Sequence, residues 1–543
     1  MDKTDLNKRL MLAFFLSFMV FVGLEYLIEK AHPPVTNENN TTTITKSTTT
    51  TITTPVVVNS NDNSTPAIIS TPKVVNSDGT INAPIVKTSP IISTIKSDKF
   101  IIEIDNLGRI GQFTLLGDKF KSDNGDSLNI FDNTKAKPLE VRFSEPTLNK
   151  EAFSNNYTAS ISKIDLKDSA TLILTQKLSK TTITKTIKFY KDGHYDLDIK
   201  LSSKQDYFIT TGYRPTADKS KFMIVKGALI RGNNNIINVI EDGNAEGNEQ
   251  FSHATIASAF DRYYSSVLYN FEKGMQVSLL KDSEDNPLIF IQGEQNMALS
   301  GYIGSKDYRV LESINPELTN VIEYGWFTFL SKPFFAVTLW IHDYVGNWGW
   351  AIIFFTLLVK LILFPLSYKG MMSMQKLKDL APKMKDIKER YGKDPQKMNQ
   401  HMMELYRKHD ANPMGGCLPM LLQIPIFFSL YRVLLNAVEL QGAPWILWID
   451  DLSKMDPLFI LPILMGASMY LQQKLTPTTI TDPMQQKIFM YLPAVMTIFF
   501  ISFPAGLVLY WLTNNILSIA QQYYINGVYE KHKQEEIKAH HKH

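Results

Sequence analysis

The sequence predicts a multidomain membrane protein, in which an α-helical transmembrane bundle of six spans is joined to a large antiparallel β-sandwich domain. Two observations predict this fold class: apolar stretches near the N-terminus and in the C-terminal half, and a middle region where polar and apolar residues alternate. A chain of 543 residues has room for several domains, and 44% hydrophobic content leaves a large soluble part. The net charge of +3 is too small to indicate a nucleic-acid partner.

The first element, residues 1–32, is predicted to be a short cytoplasmic stub and a signal-anchor helix. Lys3, Lys8 and Arg9 come first, and an apolar run at 10–28 follows. Positive charge ahead of such a run places the N-terminus in the cytoplasm. Because no A-x-A-like cleavage site follows, an uncleaved anchor is favoured over a signal peptide.

The next two elements are a linker and a β domain. Residues 33–97 are rich in Thr, Ser, Asn and Pro without apolar periodicity, so a disordered linker is predicted. Residues 98–324 contain alternating runs such as ATLILTQKL at 170–178 and YDLDIKL at 195–201, which predict a β-sandwich. Since only one span precedes this domain, we expect it on the outer side of the membrane; the family resemblance given below implies that this side is the periplasm.

Residues 325–347 are predicted to form an interfacial amphipathic helix on the outer side of the membrane. Apolar side chains recur there every three or four residues, with charged ones between them. A buried core helix of the β-sandwich is the alternative. The apolar residues of the stripe are Trp326, Phe329, Leu330, Phe334, Val337, Trp340, Ile341 and Tyr344.

The stretch at 348–366 is predicted to be a membrane span with Lys360 as its only ionisable side chain. As a helix it would cover about 28 Å, the thickness of a hydrocarbon core. A cation at that depth costs about 3 kcal/mol, so it marks a water-filled cavity, a partner or a function. Thr356 and Ser367 share its helical face and predict a polar cavity lining. Snorkelling of the ammonium group is the alternative.

Four further spans complete the predicted bundle, at 417–438, 457–471, 488–503 and 506–524. Lys and Arg outnumber acidic residues in the loop at 369–416, whereas the loop at 439–456 is acidic. This asymmetry predicts that both termini are cytoplasmic and that residues 525–543 form a basic cytoplasmic tail. Arg432, near the outer end of its span, is predicted to snorkel.

Residues 370–411 are predicted to form a cytoplasmic helical hairpin. Asp394 and Pro395 fit the N-cap and first position of its second helix. Methionine packs adaptably, so a Met-rich seam suits varied partners. The alternative is that the two helices only stabilise each other. The candidate binding residues of this hairpin are Met384, Ile387, Met398 and Met402.

Several motifs make the chain recognisable. NPMGGCLPMLLQIPIFFSLYRVL at 412–434, APWILWIDDLSKMDPLFILPILMG at 443–466, TDPMQQKI at 481–488 and FPAGLVLYWLTNN at 503–515 resemble the YidC membrane protein insertases of Gram-negative bacteria, part of the YidC/Oxa/Alb superfamily. The resemblance is specific from about residue 325 to 524. Upstream it extends mainly to the order of anchor and outer β domain.

The resemblance implies a five-helix insertase core at 348–524 with a hydrophilic groove, open to the cytoplasm and to lipid but closed on the outside. The family carries an arginine in the second transmembrane helix, where this chain has Lys360. Lysine keeps the charge but loses the planar fork that grips carboxylates. Gln423 and Asn514 could instead be structural, and Tyr510 and Trp511 ordinary packing aromatics. The expected groove residues are Lys360, Thr356, Gln423, Tyr510, Trp511 and Asn514.

The resemblance further implies a membrane insertase and chaperone for nascent inner-membrane proteins, working alone or with the Sec translocon, SecYEG and its accessory subunits. Its other partner is the lipid bilayer, and the short tail predicts weak contact with the ribosome. We expect no enzyme activity, cofactor or metal, since nucleotide-binding, G-x-S-x-G and H-E-x-x-H motifs do not occur. A secondary transporter with an intramembrane lysine is the alternative, although no internal repeat supports it.

Overall fold

A computed structural model of the chain describes residues 89–121, 125–218, 224–392, 394–409, 411, 418–476 and 483–540. The predicted signal anchor, nearly all of the predicted linker and Cys417 lie outside these residues. The described part begins with a β domain and continues into a helical bundle. Within the β domain the strands are β1 (Ile91–Lys96), β2 (Phe100–Asp105), β3 (Ile110–Leu115), β4 (Leu128–Asn129), β5 (Val141–Phe143), β6 (Thr158–Ala159), β7 (Lys163–Asp165), β8 (Ser169–Lys177), β9 (Thr182–Tyr190), β10 (His194–Leu201), β11 (Tyr207–Thr210), β12 (Gly227–Gly232), β13 (Ile237–Glu241), β14 (Glu249–Phe260), β15 (Tyr264–Tyr269), β16 (Met275–Lys281), β17 (Pro287–Gln292) and β18 (Asn296–Ser305).

The strands form two sheets that share one core. The smaller sheet has the order β4-β3-β2-β1-β7, and the larger one has 13 strands, with β10 between β9 and β18. Ile102 and Phe113 from the small sheet and Ile187 from the large sheet belong to the same buried cluster. Pairing is antiparallel apart from the short parallel contact of β1 with β7. The prediction of a large antiparallel β domain is therefore confirmed.

The inward face of β9 shows how the alternation of the sequence produces this core. Ile183, Ile187 and Phe189 are buried at every second position, as a half-buried strand requires. Lys185 falls on the same face and is fully buried. Its ammonium donates to the carbonyl oxygens of Gly108 and Leu139, at 2.9 and 2.8 Å, so the buried cation is hydrogen-bonded.

The helices are α1 (Pro146–Ser154), α2 (Tyr308–Ile314), α3 (Thr328–Val345), α4 (Trp348–Ile362), α5 (Phe364–Tyr391), α6 (Pro395–Lys408), α7 (Leu418–Asn436), α8 (Ile460–Leu475), α9 (Pro483–Phe500) and α10 (Ala505–His540). From α3 onward they form the bundle and the hairpin of α5 and α6. Among the described helices, no single one is long and apolar enough to cross a membrane alone, and the bent pair α4–α5 passes on length and composition together. The six spans stay a prediction.

The prediction of one continuous helix at 348–366 is wrong. Helix α4 ends at Ile362, and α5 begins at Phe364 with its axis turned by 66°. Pro365, in the first turn of α5, has no N–H to extend the hydrogen bonding of α4. Ser367 therefore lies beyond the bend and does not share a helical face with Lys360. The first helix of the hairpin also begins at 364 instead of 370.

The C-terminal segment differs from the prediction as well. Helix α10 is 36 residues long and runs from the last predicted span into the predicted tail. Residues 525–540 are therefore helical. No proline interrupts the sequence after Pro504, and the side chains of Tyr529 and Lys533 are bonded to Asp379 of α5. These contacts hold the second half of α10 against the hairpin.

The β domain and the bundle are packed against each other through a second buried cluster. Phe260 and Tyr302 from the sheet share this cluster with Phe335 of α3 and Ile352 of α4. Polar contacts follow the same boundary, where Arg262 Nε donates to the carbonyl oxygen of Leu435 at 2.6 Å. The β domain therefore covers one end of the bundle.

Arg432, which was predicted to snorkel near the outer interface, takes part in this boundary. Its guanidinium Nη1 lies 3.6 Å from Oε2 of Glu323, which follows the β domain. Next to this ion pair, Asn436 Nδ2 donates to the backbone oxygen of Glu323 at 2.7 Å. The acidic partner offsets part of the cost of removing this charge from water, and the snorkelling of Arg432 stays a prediction.

Candidate functional site

A ridge of polar side chains follows one line of α10. Residues four apart form such inclined ridges on a helix. Here Tyr510, Asn514, Ser518, Gln522 and Asn526 recur at that spacing. The ridge extends from the middle of the bundle to the hairpin.

Lys360 meets this ridge at Ser518. The ammonium, half-buried in the last turn of α4, donates to Ser518 Oγ at 2.8 Å. The Ser518 hydroxyl in turn donates to the backbone oxygen of Asn514 at 2.7 Å, so its lone pairs are turned toward the lysine. An ammonium group has three N–H donors, and Ser518 occupies one of them. The cation is thus positioned by a neutral partner that does not cancel its charge.

Tyr510, the first residue of the ridge, is hydrogen-bonded to Gln423. Gln423 Nε2, on α7, donates to the hydroxyl oxygen of the buried Tyr510 at 3.0 Å. Trp511 instead packs on aromatic rings, at 4.6 Å from the centroid of Phe427 and 4.9 Å from that of Phe500. Its surroundings therefore match those of a packing aromatic.

Thr356 is placed differently from the other candidates. It is buried one turn before Lys360, and its hydroxyl donates to the backbone oxygen of Ile352 at 2.6 Å within α4. The structure therefore brings the side chain of Lys360 to Ser518 and that of Gln423 to Tyr510, whereas Asn514 contributes only its backbone oxygen and Thr356 lies outside these hydrogen bonds. Ser518 itself was missed by the sequence reasoning, although its spacing from Tyr510 and Asn514 could have revealed it.

A buried apolar cluster lies between Lys360 and the β domain. Asn347, at the start of α4, donates from Nδ2 to the backbone oxygen of Pro444 at 3.0 Å, next to the β domain. From there Ile352 and Phe355 are buried in the shared apolar cluster, together with Leu507 and Val508 of α10. Lys360 lies about 18 Å along α4 from its first residue. The contact of Lys360 with Ser518 therefore lies on the side of this cluster that faces the hairpin.

The hairpin has a small core of its own. Met384 is buried there with Leu377, Leu380 and Ala411, and Met402 is partly buried against them. Both methionines thus stabilise the two helices against each other, as the alternative interpretation required. Met403, which the sequence reasoning passed over, is 57% exposed.

Ile387 and Met398 are half-buried in the same hairpin. Ile387 lines a cavity of about 390 Å³ between α5 and α6, and the charged residues around it are Lys383, Asp386, Arg390, Glu404 and Lys408. Among the described residues, no group of three or more His, Cys, Asp or Glu side chains could hold a metal ion.

Two family models match this chain. The 60Kd inner membrane protein family covers residues 340–533, and the YidC periplasmic domain family covers residues 251–337. Together these two models indicate a bacterial inner-membrane protein with a periplasmic domain. The β domain is accordingly periplasmic.

Similar proteins of known name narrow the class of inner-membrane proteins to one family. The membrane protein insertase YidC of Campylobacter jejuni is 48% identical over 528 residues, with 97% of each chain covered. That of Helicobacter pylori is 46% identical over 563 aligned residues, with 98% of each chain covered. A crystal structure described as an active YidC insertase with the first transmembrane domain resolved is 19% identical, covers 81% of this chain and 96% of its own, and has a TM-score of 0.35.

The chain belongs to the YidC family of membrane protein insertases. The family resemblance predicted from the motifs between residues 412 and 515 is thereby confirmed, and the similarity extends over almost the whole chain. The transporter alternative has no support from any of these relatives. YidC insertases are in general not enzymes.

Proposed function

We propose that this protein inserts and folds nascent inner-membrane proteins by giving their polar segments a path along the ridge of α10 and past Lys360. The contact of Lys360 with Ser518 carries this proposal, because it holds an uncancelled positive charge in the half of the bundle nearest the hairpin.

The energetic reason lies in the cost of polar groups in hydrocarbon. An unsatisfied backbone or side-chain group costs several kcal/mol there. Gln423, Tyr510 and Ser518 offer hydrogen-bonding partners at membrane depth, and Lys360 attracts acidic residues of the client. Packed apolar side chains close the periplasmic half. Once the apolar segment of the client moves sideways into lipid, its burial drives release.

Purified full-length protein in liposomes tests this proposal. A small single-span client should acquire a protease-protected segment when the protein is present and remain digestible in empty liposomes. A cysteine at Asn514, in a Cys417→Ser background, should crosslink to an arrested client, whereas one at the buried Phe335 should not. Equal crosslinking at the two positions would contradict a path along the ridge.

The hairpin is proposed to receive the client first, since its cavity beside Ile387 lies at the cytoplasmic end. Replacing residues 376–409 with a Gly/Ser linker should impair client capture and leave the bundle inserted. Asp379→Asn is the matched control, because it releases the hairpin from Tyr529 and Lys533 but keeps the cavity. Unchanged capture after the deletion would show that the hairpin has no such role.

The topology and the Sec partnership also belong to this proposal. Six spans with both termini in the cytoplasm account for the basic loops. The proposed polar path covers only half of the bundle, and this supports a role beside the Sec translocon for some clients. Comparing insertion in liposomes with and without SecYEG, for the same client, measures what each contributes.

A further inference from the structure

The loop at residues 441–459, between α7 and α8, exposes large apolar side chains at the periplasmic end of the bundle. Leu447 is 81% exposed, and Met455 and Leu458 are each more than half exposed. Contiguous exposed apolar surface of this kind marks a site of protein or membrane contact. The loop is held beside the β domain, since Tyr264 Oη donates to Gln441 Oε1 at 3.1 Å.

Two of the exposed side chains stand on unusual backbone. Leu447 and Phe459 both have φ near 56°, in the left-handed region. Large side chains rarely adopt it, because their Cβ crowds the carbonyl oxygen. Such a conformation persists only where the surrounding structure imposes it, and it is concentrated at functional positions. The fold therefore spends stability to hold these apolar groups outward.

Buried Asp456 is the residue that imposes this shape. Its carboxylate accepts hydrogen bonds from Trp448 Nε1 at 2.9 Å and from the backbone N–H groups of Leu458 and Leu461, at 2.9 and 2.6 Å. A carboxylate with three donors ties the middle of the loop to the start of α8. The exposed tips are thus mounted on a rigid base.

The other side of the loop is fixed to α4. The ring of Trp445 fills the space above Gly349, where a Cβ atom would come within 2.1 Å of Trp445 Cδ1. The same ring meets Trp350 edge-on, with 6.0 Å between the centroids. Trp350 is itself exposed, so the loop and the outward face of α4 form one surface.

This surface continues onto α8. The N–H of Ile463 donates to the oxygen of Phe459 at 3.3 Å, which places the two residues one turn apart on the same face. Ile463 and Leu464 are both exposed. In an inner-membrane protein the outward apolar faces of the bundle are covered by lipid. The exposed loop residues are a direct extension of that lipid-facing surface.

We propose that residues 446–459 form a wedge that seats in the periplasmic leaflet, with Leu447 and Leu458 among the acyl chains. Lys454, on the same loop and exposed, faces the headgroups and water. The wedge fixes the depth of the closed end of the bundle, and it does not depend on which clients pass Lys360.

Spin labels on full-length protein in phospholipid vesicles test the wedge. In a Cys417→Ser background, labels at Leu447→Cys and Leu458→Cys should be several-fold more accessible to oxygen, relative to a water-soluble nickel complex, than a label at Lys454→Cys. Equal ratios at all three positions would place the loop in water. Shielding of Leu447→Cys from both reagents would mean that protein covers it, which also overturns the proposal.

A leucine-shaped diazirine amino acid at position 447 provides the second measurement, because it leaves the packing of the loop nearly unchanged. After irradiation in vesicles, mass spectrometry should find phospholipid adducts at 447 and several-fold fewer at position 454 with the same probe. Adducts with polypeptide at 447, from a second copy or from a client, would refute a lipid wedge.

Discussion

Neutralising Lys360 should slow the insertion of clients with acidic translocated segments. The ammonium is half-buried and held at 2.8 Å from Ser518 Oγ, so its position is defined in the absence of a client. For a carboxylate passing at about 6 Å, with an effective dielectric constant of about 40, Coulomb's law gives about 1.4 kcal/mol of attraction. Lys360→Met should therefore slow insertion about tenfold per acidic residue that passes in the rate-limiting step.

The sign of the charge distinguishes this effect from a loss of packing. Lys360→Glu turns the attraction into repulsion of similar size, so about a hundredfold reduction is expected, while Lys360→Arg should stay within about threefold of the parent protein. Lys474→Met, which also removes a lysine from a bundle helix, is the control and should have little effect.

Insertion kinetics in liposomes, followed by protease protection, measure these differences at matched protein levels. Each variant is paired with two clients that differ only in Asp and Glu residues of the translocated tail, replaced by Asn and Gln in the second client. Equal slowing of both clients by Lys360→Met would refute the electrostatic reasoning and leave Lys360 as a packing residue.

Three further predictions concern stability. Burial raises the pKa of Glu439 to about 7, so between pH 4.5 and 7 the folded protein keeps a proton on this carboxyl that the unfolded chain has released. The free energy of unfolding should therefore fall as the pH rises from about 4.5 to 7. Glu439→Gln should make this pH dependence weaker in thermal unfolding measured across the same range. A Cβ at Gly466 would lie 1.8 Å from Thr497 Oγ1, so Gly466→Ala should cost about 1–3 kcal/mol in denaturant unfolding, and adding Thr497→Ala should recover part of it. Leu447→Asn should raise stability in detergent by about 1 kcal/mol, since Asn tolerates left-handed backbone, whereas Leu458→Asn, which has no strained φ to relieve, should not.

Several features of the fold followed from sequence patterns because a single local rule determined each of them. Alternation at period two predicted the β domain, including the inward face of β9. Asp394 and Pro395 predicted the start of α6, where the Asp394 carboxylate caps the backbone N–H groups of Gln396 and Lys397. The motifs between residues 412 and 515 predicted the family. In each case the residues that carry the signal also form the structure.

Other features depend on contacts between distant segments, which no local pattern contains. The pairing of Arg432 with Glu323 joins residues more than a hundred positions apart, and so does that of Lys360 with Ser518. The apolar run at 348–366 concealed the bend, since hydropathy does not register a change in helix direction. Asn514 was chosen from a motif, yet it is the adjacent Asn515 that is buried and bonded across helices, with Nδ2 donating to Ser468 Oγ at 3.0 Å.

The length of α10 has a mechanical consequence. As one unbroken helix of about 54 Å, it is stiff along its axis and moves nearly as a single body. Near its start the N–H of Gly506 is bonded to Leu452 in the periplasmic loop, Ser518 holds Lys360 midway, and Tyr529 is bonded to the hairpin. If the hairpin receives clients as proposed, a client that displaces it would tilt the helix about its periplasmic end and shift Ser518, the partner of Lys360. In that case the same rigid helix would connect client binding at the hairpin with the contact that positions Lys360.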